Sequence, residues 1–567
     1  MKLASPRTVA KRLHGMARPP VTITAPPTGV IAEWNVPITA RDGTVLRANV
    51  FRPAPGSPGD LIRGGGPAPV IMCAHPYNKD ALPKKVPWGY LPSPQYRVFH
   101  QPEPITFSAW TGWEGPDPAR WVPLGYAVVV CDLRGFGASE GTGTMLSKQE
   151  GEDYHDLIEW AGTQPWSNGK VGLLGVSYLA LSQYRAAAEQ PPHLAAICPW
   201  EGFSDVYRDF AKPGGVREHG FFAMWGKITN KSGRTTENLY AQALSRPELD
   251  DWWKSRMPEL SRINVPMLVC GSFSDHLLHT RGSFEAFRRV SSKQKWIWTH
   301  RGGKWCVFYG DEAKATQLRF FEHFLAGADN GWEQVPPVRI AIHETGDAPA
   351  EIRMAADWPP PDVTYQSLHL HAGGQLTQTP ETADTSLAFA NSDGALKFRW
   401  QVPRALDLIG PMTFNADVSL EGASDATLLA AVRVIRAGVE VPFEGSYGFG
   451  HDVVTHGWHR LAHRELDAEL STPWQPVHTH AKSEPLGPGE IVPVSVALLP
   501  QATRLRAGDV LELELRARWL FAVNPFTGQL PARYVTSSTG STRVHLGGAQ
   551  PGGGRVAELR VPVASAQ

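Results

Sequence analysis

The chain has 567 residues, 42% of them hydrophobic, and its 55 Lys and Arg balance its 55 Asp and Glu. That length exceeds what a single core supports, so two or three domains are expected, and the balanced charge excludes the electrostatic pull of a dedicated nucleic-acid or anionic-membrane binder. No run of 18 apolar residues occurs, and the basic first residues lack an apolar stretch, which points to a cytoplasmic protein acting without membrane or nucleic acid.

In chain order, VPITARDGTVLRANVFRP reads as two strands around Asp42-Gly43, a dipeptide that accepts the positive φ of a tight hairpin turn. Short apolar runs then alternate with helical patterns: APVIMCA, YAVVVCD, KVGLLG, LAAIC, VPMLVC and KWIWTH. Such runs suit strands buried on both faces, and Tyr154, Leu157, Ile158 and Ala161, like Leu318, Phe321 and Leu325 before Gly327, repeat at helical spacing. An α/β domain with a parallel sheet follows. A Trp-rich, helical stretch over 203–262 interrupts the alternation and reads as a cap, with Ser245 and Glu248 spaced as a capping box. Beyond about residue 350 the period becomes two, as in Met412, Phe414, Ala416, Val418 and Leu420 or Leu511, Leu513, Leu515 and Ala517, which predicts an all-β sandwich or jelly roll. The expected division is therefore an N-terminal arm over 1–30, an α/β domain over 31–202 and 263–350, the cap over 203–262 and a β-sandwich over 351–567. The five cysteines, Cys73, Cys131, Cys198, Cys270 and Cys306, lack CxxC spacing, and four close apolar runs, so they read as free core residues in a reducing compartment.

The local chemistry centres on KVGLLGVSYLALSQYRAAAEQPP, a strand ending in Gly175-Val176-Ser177-Tyr178 and then a helix stopped by Pro191 and Pro192. A strand-turn-helix of this kind holds a hydroxyl above a sheet beside helix N-terminal amides, making Ser177 a candidate nucleophile; its alternative role is a helix N-cap. Leu179 stands where the G-x-S-x-G pattern has its final glycine. Serine needs a base and an oriented base needs a carboxylate. VPMLVCGSFSD ends in Asp275 and KWIWTH in His300, completing the order Ser, Asp, His at strand ends. His276 and His279 compete for the base, but they share the loop of Asp275 and would leave the last strand without a function, so His300 is the expected partner.

The segments HPYNK, CDLRGFGASEG, PWSNGKVGLLGVSYLA, GSFSD and WTH resemble those of the cocaine-esterase and X-prolyl dipeptidyl-peptidase family of serine hydrolases over nearly the whole chain. The resemblance implies an α/β-hydrolase sheet, a helical cap and a C-terminal jelly roll. By position it implies Ser177 as nucleophile, Asp275 as acid, His300 as base, and an oxyanion hole made by the Tyr77 hydroxyl and the Tyr178 amide. Family members carry G-P-W-x-H before the histidine, where this chain has Trp296-Ile297-Trp298-Thr299-His300 followed by RGGKW.

The implied reaction is hydrolysis of an ester or amide of a small acyl substrate, without cofactor or metal. An X-prolyl dipeptidyl-peptidase is the alternative; it needs an anion for the substrate amine, for which Glu201, Asp205, Asp209 and Glu218 are available. From another class, a dead hydrolase domain could serve the jelly roll as a binding scaffold, although a complete Ser, Asp, His set argues against decay. Among 20 tryptophans, Trp166 and Trp200 are candidate substrate-pocket walls. The histidines His451, His456, His459 and His463 are read as solvated, since no metal-ligand spacing accompanies them. LRGFGASEG lacks the full G-x-G-x-x-G fingerprint and reads as a turn, with Asp132 and Arg134 expected to pair. Oligomeric state is left open, a homo-oligomer included.

Overall fold

At the Asp42-Gly43 turn, Gly43 has φ 86° and joins β1 (Val30–Thr39) to β2 (Val45–Pro53) as an antiparallel pair, as its sequence requires. This hairpin edges a ten-stranded sheet in a computed structural model that describes residues 10, 13–15, 17–99, 101–445, 452–521, 532–547 and 555–565. The buried apolar runs supply β3 (Ala68–His75), β4 (Ala127–Asp132), β5 (Ser167–Val176), β6 (Leu194–Trp200), β7 (Met267–Ser272), β8 (Lys295–His300) and β9 (Val338–Ile342), and β10 (Glu351–Ala355) closes the far edge. The order is β10-β9-β8-β7-β6-β5-β3-β4-β2-β1, with β3 to β9 parallel in pairing.

The chain leaves β3 toward β4 on one side and returns to β5 on the other. Such a reversal opens a crevice at the carboxyl ends of the two strands. Tyr77 follows β3 there and Ser177 follows β5.

Helices α1 (Lys148–Gly162) and α2 (Tyr178–Ala188) pack together on one face of the sheet, where α5 (Thr280–Arg289) also lies against β7. The opposite face takes α7 (Asp311–Ala326), whose Phe321 and Leu325 close on Gly172, preceded by the short α6 (Lys304–Phe308). Between β6 and β7 the 203–262 segment forms α3 (Phe221–Ser232), α4 (Leu239–Ser245) and a single turn at Asp251–Lys254. The capping box expected at Ser245 and Glu248 does not form. Instead, the Asn238 side chain caps α4 by accepting the Ala241 amide at 3.0 Å, and Asp250 caps the next turn through the Trp253 amide.

Two boundaries differ from expectation. Val21–Thr24, inside the expected arm, pairs in parallel with Ile105–Ser108, and β10 extends the sheet to Ala355 by pairing antiparallel with β9. The expected Asp132–Arg134 pair is also absent. Asp132 instead accepts the Lys79 amide at 2.7 Å and lies 3.2 Å from its ammonium, while Arg134 forks onto Asp153.

Among its described residues the C-terminal half forms two antiparallel sheets, one of seven strands and one of five. Met412, Phe414, Ala416, Val418 and Leu420 meet Leu511, Leu513, Leu515 and Ala517 in its own core, as the period of two predicts. This half is clamped to the first: Arg301 donates to the Val453 carbonyl at 2.7 Å, and Arg208 of the 203–262 segment to the His478 carbonyl at 2.9 Å. Among the described residues no helix is long and apolar enough to cross a membrane. All five cysteines are free and buried.

Candidate active site

Ser177 sits on the sharp turn between β5 and α2 with φ 60°, a left-handed conformation that costs a non-glycine residue on the order of 1–3 kcal/mol. Its amide holds the turn by donating to the carbonyls of Trp200 and Glu201 at 3.1 and 3.2 Å. Gly175 explains why the motif tolerates Leu179. A Cβ at 175 would stand 2.4 Å from the Leu179 Cβ, so the glycine two residues before the serine provides the space that a second glycine would otherwise give.

The imidazole facing Ser177 is that of His279. Its Nε2 lies 3.3 Å from Ser177 Oγ and its Nδ1 2.5 Å from Asp275 Oδ2. The loop after β7 curls into the start of α5, with the His279 and Thr280 amides both donating to the Asp275 carbonyl. This turn puts residues four apart on one side, the spacing at which helical side chains meet. Lys304, the first residue of α6, completes the cluster: its Nζ lies 3.0 Å from the same Asp275 Oδ2 and 3.1 Å from His279 Nδ1. Burial works against a charged Asp275, but the Lys304 ammonium and His279 outweigh it and hold the carboxyl well below its usual range. Burial and Lys304 lower the affinity of His279 for a second proton, leaving it neutral as a base must be.

His300, expected to face the serine, does not. It ends β8, and with Trp296 and Trp298 it alternates onto the face covered by α6 and α7, where Trp296 packs on Phe320 and Phe324 and Trp298 on Trp200. Its Nε2 pairs with Glu201 Oε1 at 3.0 Å. The strand period that brings His300 to the rim of the sheet therefore aims it at the wrong face. The overlooked signal was D-x-x-x-H at 275–279, placed where a strand gives way to a helix. His276 points elsewhere, 3.0 Å from Asp452 of the C-terminal half.

Tyr77 and Tyr178 both border Ser177. The Tyr77 hydroxyl accepts the Trp225 indole N–H at 3.1 Å, and burial together with Glu114 raises its pKa, keeping it protonated. The Tyr178 side chain points away, donating to Glu150 Oε2 at 2.7 Å, so only its amide is at the elbow; first-turn amides have no acceptor within their helix. These groups open on a cavity of about 390 Å³ whose walls include Phe99, Trp113, Phe210, Trp225 and Trp305, with Phe210, Phe221, Met224, Trp225 and Ile228 contributed by the 203–262 segment. Glu114 also lines it; burial pushes its carboxyl up to about 7, and one oxygen accepts the Trp305 indole N–H.

The expected tryptophans do not line this cavity. Trp200 is fully buried beneath the site against Trp298 and Phe308, and Trp166 immediately precedes β5 at the opposite end of the strand beside Trp160. The candidate amine-binding carboxylates are likewise committed elsewhere: Glu201 to His300, Asp205 to Arg208, Asp209 to Arg281, and Glu218 to the amides of Gly220, Phe221 and Phe222.

Glu201, Asp275 and His279, and separately Glu201, Cys270 and His300, bring three donor atoms within 4.8 Å. In the first group the Lys304 ammonium already supplies positive charge at Asp275. The C-terminal histidines are buried rather than solvated: His456 lies edge-on to His276, His459 stacks on His478 with ring centres 4.2 Å apart, and His463 Nδ1 is 3.2 Å from His480 Nδ1. His451 lies outside the described residues.

Residues 42–242 match the X-Pro dipeptidyl-peptidase (S15 family), and residues 330–552 its C-terminal non-catalytic domain. The structure is similar to that of a CocE/NonD family hydrolase from Staphylococcus aureus, with 32% identity, a TM-score of 0.85, and coverage of 97% of this chain and 100% of that one. An α-amino acid ester hydrolase shares the fold, with 17% identity and a TM-score of 0.67 over 94% of this chain and 97% of that one. A cocaine esterase from Rhodococcus sp. is 25% identical over 64% of this chain, and the match spans 66% of that esterase's length. With a nucleophile elbow, a hydrolase sheet and a full-length relative at this identity, the chain belongs to the CocE/NonD family of hydrolases and is a serine hydrolase.

Proposed function

We propose that the enzyme hydrolyses an ester or amide of a small, largely apolar acyl substrate through an acyl-enzyme intermediate on Ser177. The observation that carries this reading is the continuous contact from Ser177 Oγ through His279 to Asp275. With the Nδ1 proton held by Asp275, Nε2 presents its lone pair to the serine. His279 takes the hydroxyl proton as Oγ adds to the carbonyl carbon. The Tyr77 hydroxyl and the Tyr178 amide donate to the oxyanion, and the imidazolium returns its proton to the leaving alcohol or amine. Water, activated by the same imidazole, then attacks the acyl carbonyl and releases the acid.

The aromatic cavity supports an apolar acyl or leaving group. An esterase or acylase is favoured over an X-prolyl dipeptidyl-peptidase because Asp205, Asp209 and Glu218 are engaged within the protein and Glu201 pairs with His300. The two-sheet C-terminal half supports a jelly roll with a structural role, and five free thiols suit a reducing compartment. Comparing p-nitrophenyl acyl esters with Gly-Pro and Ala-Pro anilides tests the reading: turnover of the esters with none of the anilides is expected, and the reverse preference would replace it with the peptidase.

A further inference from the structure

The buried ammonium of Lys304 has no part in the proton transfers just described, yet it lies against the base that performs them and the carboxylate that orients that base. Lys304 is 3% exposed. It is delivered by Arg301-Gly302-Gly303, a close-packed approach: a Cβ at Gly303 would lie 2.8 Å from Pro102 and one at Gly302 2.7 Å from Val307. The Ser274 hydroxyl donates to the Gly302 carbonyl at 3.1 Å, tying this loop to that of Asp275. Asp275 Oδ2 thus stands 2.5 Å from the imidazole Nδ1 and 3.0 Å from the ammonium, while the two nitrogens are 3.1 Å apart.

We propose that Lys304 is a fourth member of this constellation, a positioning residue that pins Asp275 toward the base and weakens the affinity of His279 for a second proton, so that the enzyme works in mildly acidic conditions where an ordinary Ser-His-Asp triad is protonated. The proposal rests on the reading of Ser177, His279 and Asp275 given above.

A carboxylate oxygen shared with an ammonium stabilises an imidazolium less than one dedicated to it, and a cation within bonding distance of the ring opposes its protonation directly. The other groups near His279 are Glu201 at the end of β6, with its partner His300, and Glu114 on the cavity wall. The Glu201 carboxyl group acts to favour protonation of His279 and the charged form of Lys304. Lys304 is thus a cation in contact with both members of the Asp275–His279 pair.

The test is the pH dependence of kcat/KM for p-nitrophenyl butyrate in the wild type, K304M and K304R, with fluorophosphonate labelling of each. In K304M the acid limb is expected to move up by about one unit or more, and K304R is expected to restore it. An unmoved limb in a labelled, folded K304M overturns the proposal. Should K304M not fold, histidine NMR of the wild type and of K304Q decides, with the His279 resonances assigned by their loss in H279N. A His279 midpoint lower in the wild type than in K304Q supports the proposal; equal midpoints overturn it. A wild type that fluorophosphonate does not label at Ser177 would instead remove the underlying reading of the triad.

Discussion

Asp275 and His279 stand one helical turn apart, with the carboxylate oxygen Oδ2 2.5 Å from the ring nitrogen Nδ1. Because the proposed acid and base belong to one short segment between β7 and α5, their relative position depends on local backbone rather than on the meeting of two distant loops.

The first consequence separates the two candidate bases. H279A is expected to lower kcat/KM for an activated ester by about 10⁴-fold or more. H300Q leaves Glu201 less well satisfied in a buried site, costing about 1–3 kcal/mol of stability while activity stays within about tenfold. Steady-state kinetics beside thermal melts check both, and a reversed pattern would return the base to His300.

Replacing Ser177 by alanine should leave folding unchanged and abolish both hydrolysis and fluorophosphonate labelling. D275N loses the partner that fixes the His279 tautomer, with an expected fall in kcat of about 10⁴-fold.

Tyr77 makes a separable contribution. Y77F removes one oxyanion donor and should lower kcat by about 10²-fold with little change in KM. W225F removes only the indole that orients the Tyr77 hydroxyl, so a smaller fall is expected.

Restoring the usual motif should be harmful. Leu179 is fully buried and packs against Gly175, so L179G leaves a cavity and adds backbone freedom. A loss of at least about 3 kcal/mol in denaturant melts is expected, although the sequence then reads G-x-S-x-G.

Stability should decline with acidification from pH 6.5. Burial lowers His456, His478 and His343 to about 3 and His75 and His463 to about 4. Between those values and 6.5 the unfolded chain binds protons that the folded chain refuses, so stability is lost as pH falls. Glu114 and Glu150, raised to about 7 by burial, oppose this slope but are fewer. Melting temperature measured from pH 7.5 to 4.5 should fall, and a flat or rising profile would contradict the burial of these rings.

Most of the architecture was legible because buried parallel strands and two-faced β-strands leave clear periods in the sequence. The elbow at Ser177 was legible for the same reason, being a strand followed at once by a helix. The proposed base was not, because His300 closes a strand run whereas His279 sits in the loop between β7 and α5, and the choice turns on which face of the sheet the strand-end side chain reaches. Trp166 and Trp200 show the same limit: tryptophan content reveals that a wall exists, but only packing shows whether a given ring walls the cavity or the core. The burial of the C-terminal histidines arises from contacts between halves of the chain more than 170 residues apart, such as that of His276 with His456.

The hydrogen bond from Trp225 to Tyr77 joins a helix lining the cavity to the proposed oxyanion donor. By filling the lone pair of the phenol, the indole leaves the phenolic proton free to turn toward the oxyanion. Retraction of that helix would withdraw the indole and admit bulk solvent in the same movement, disarming the donor as the chamber floods.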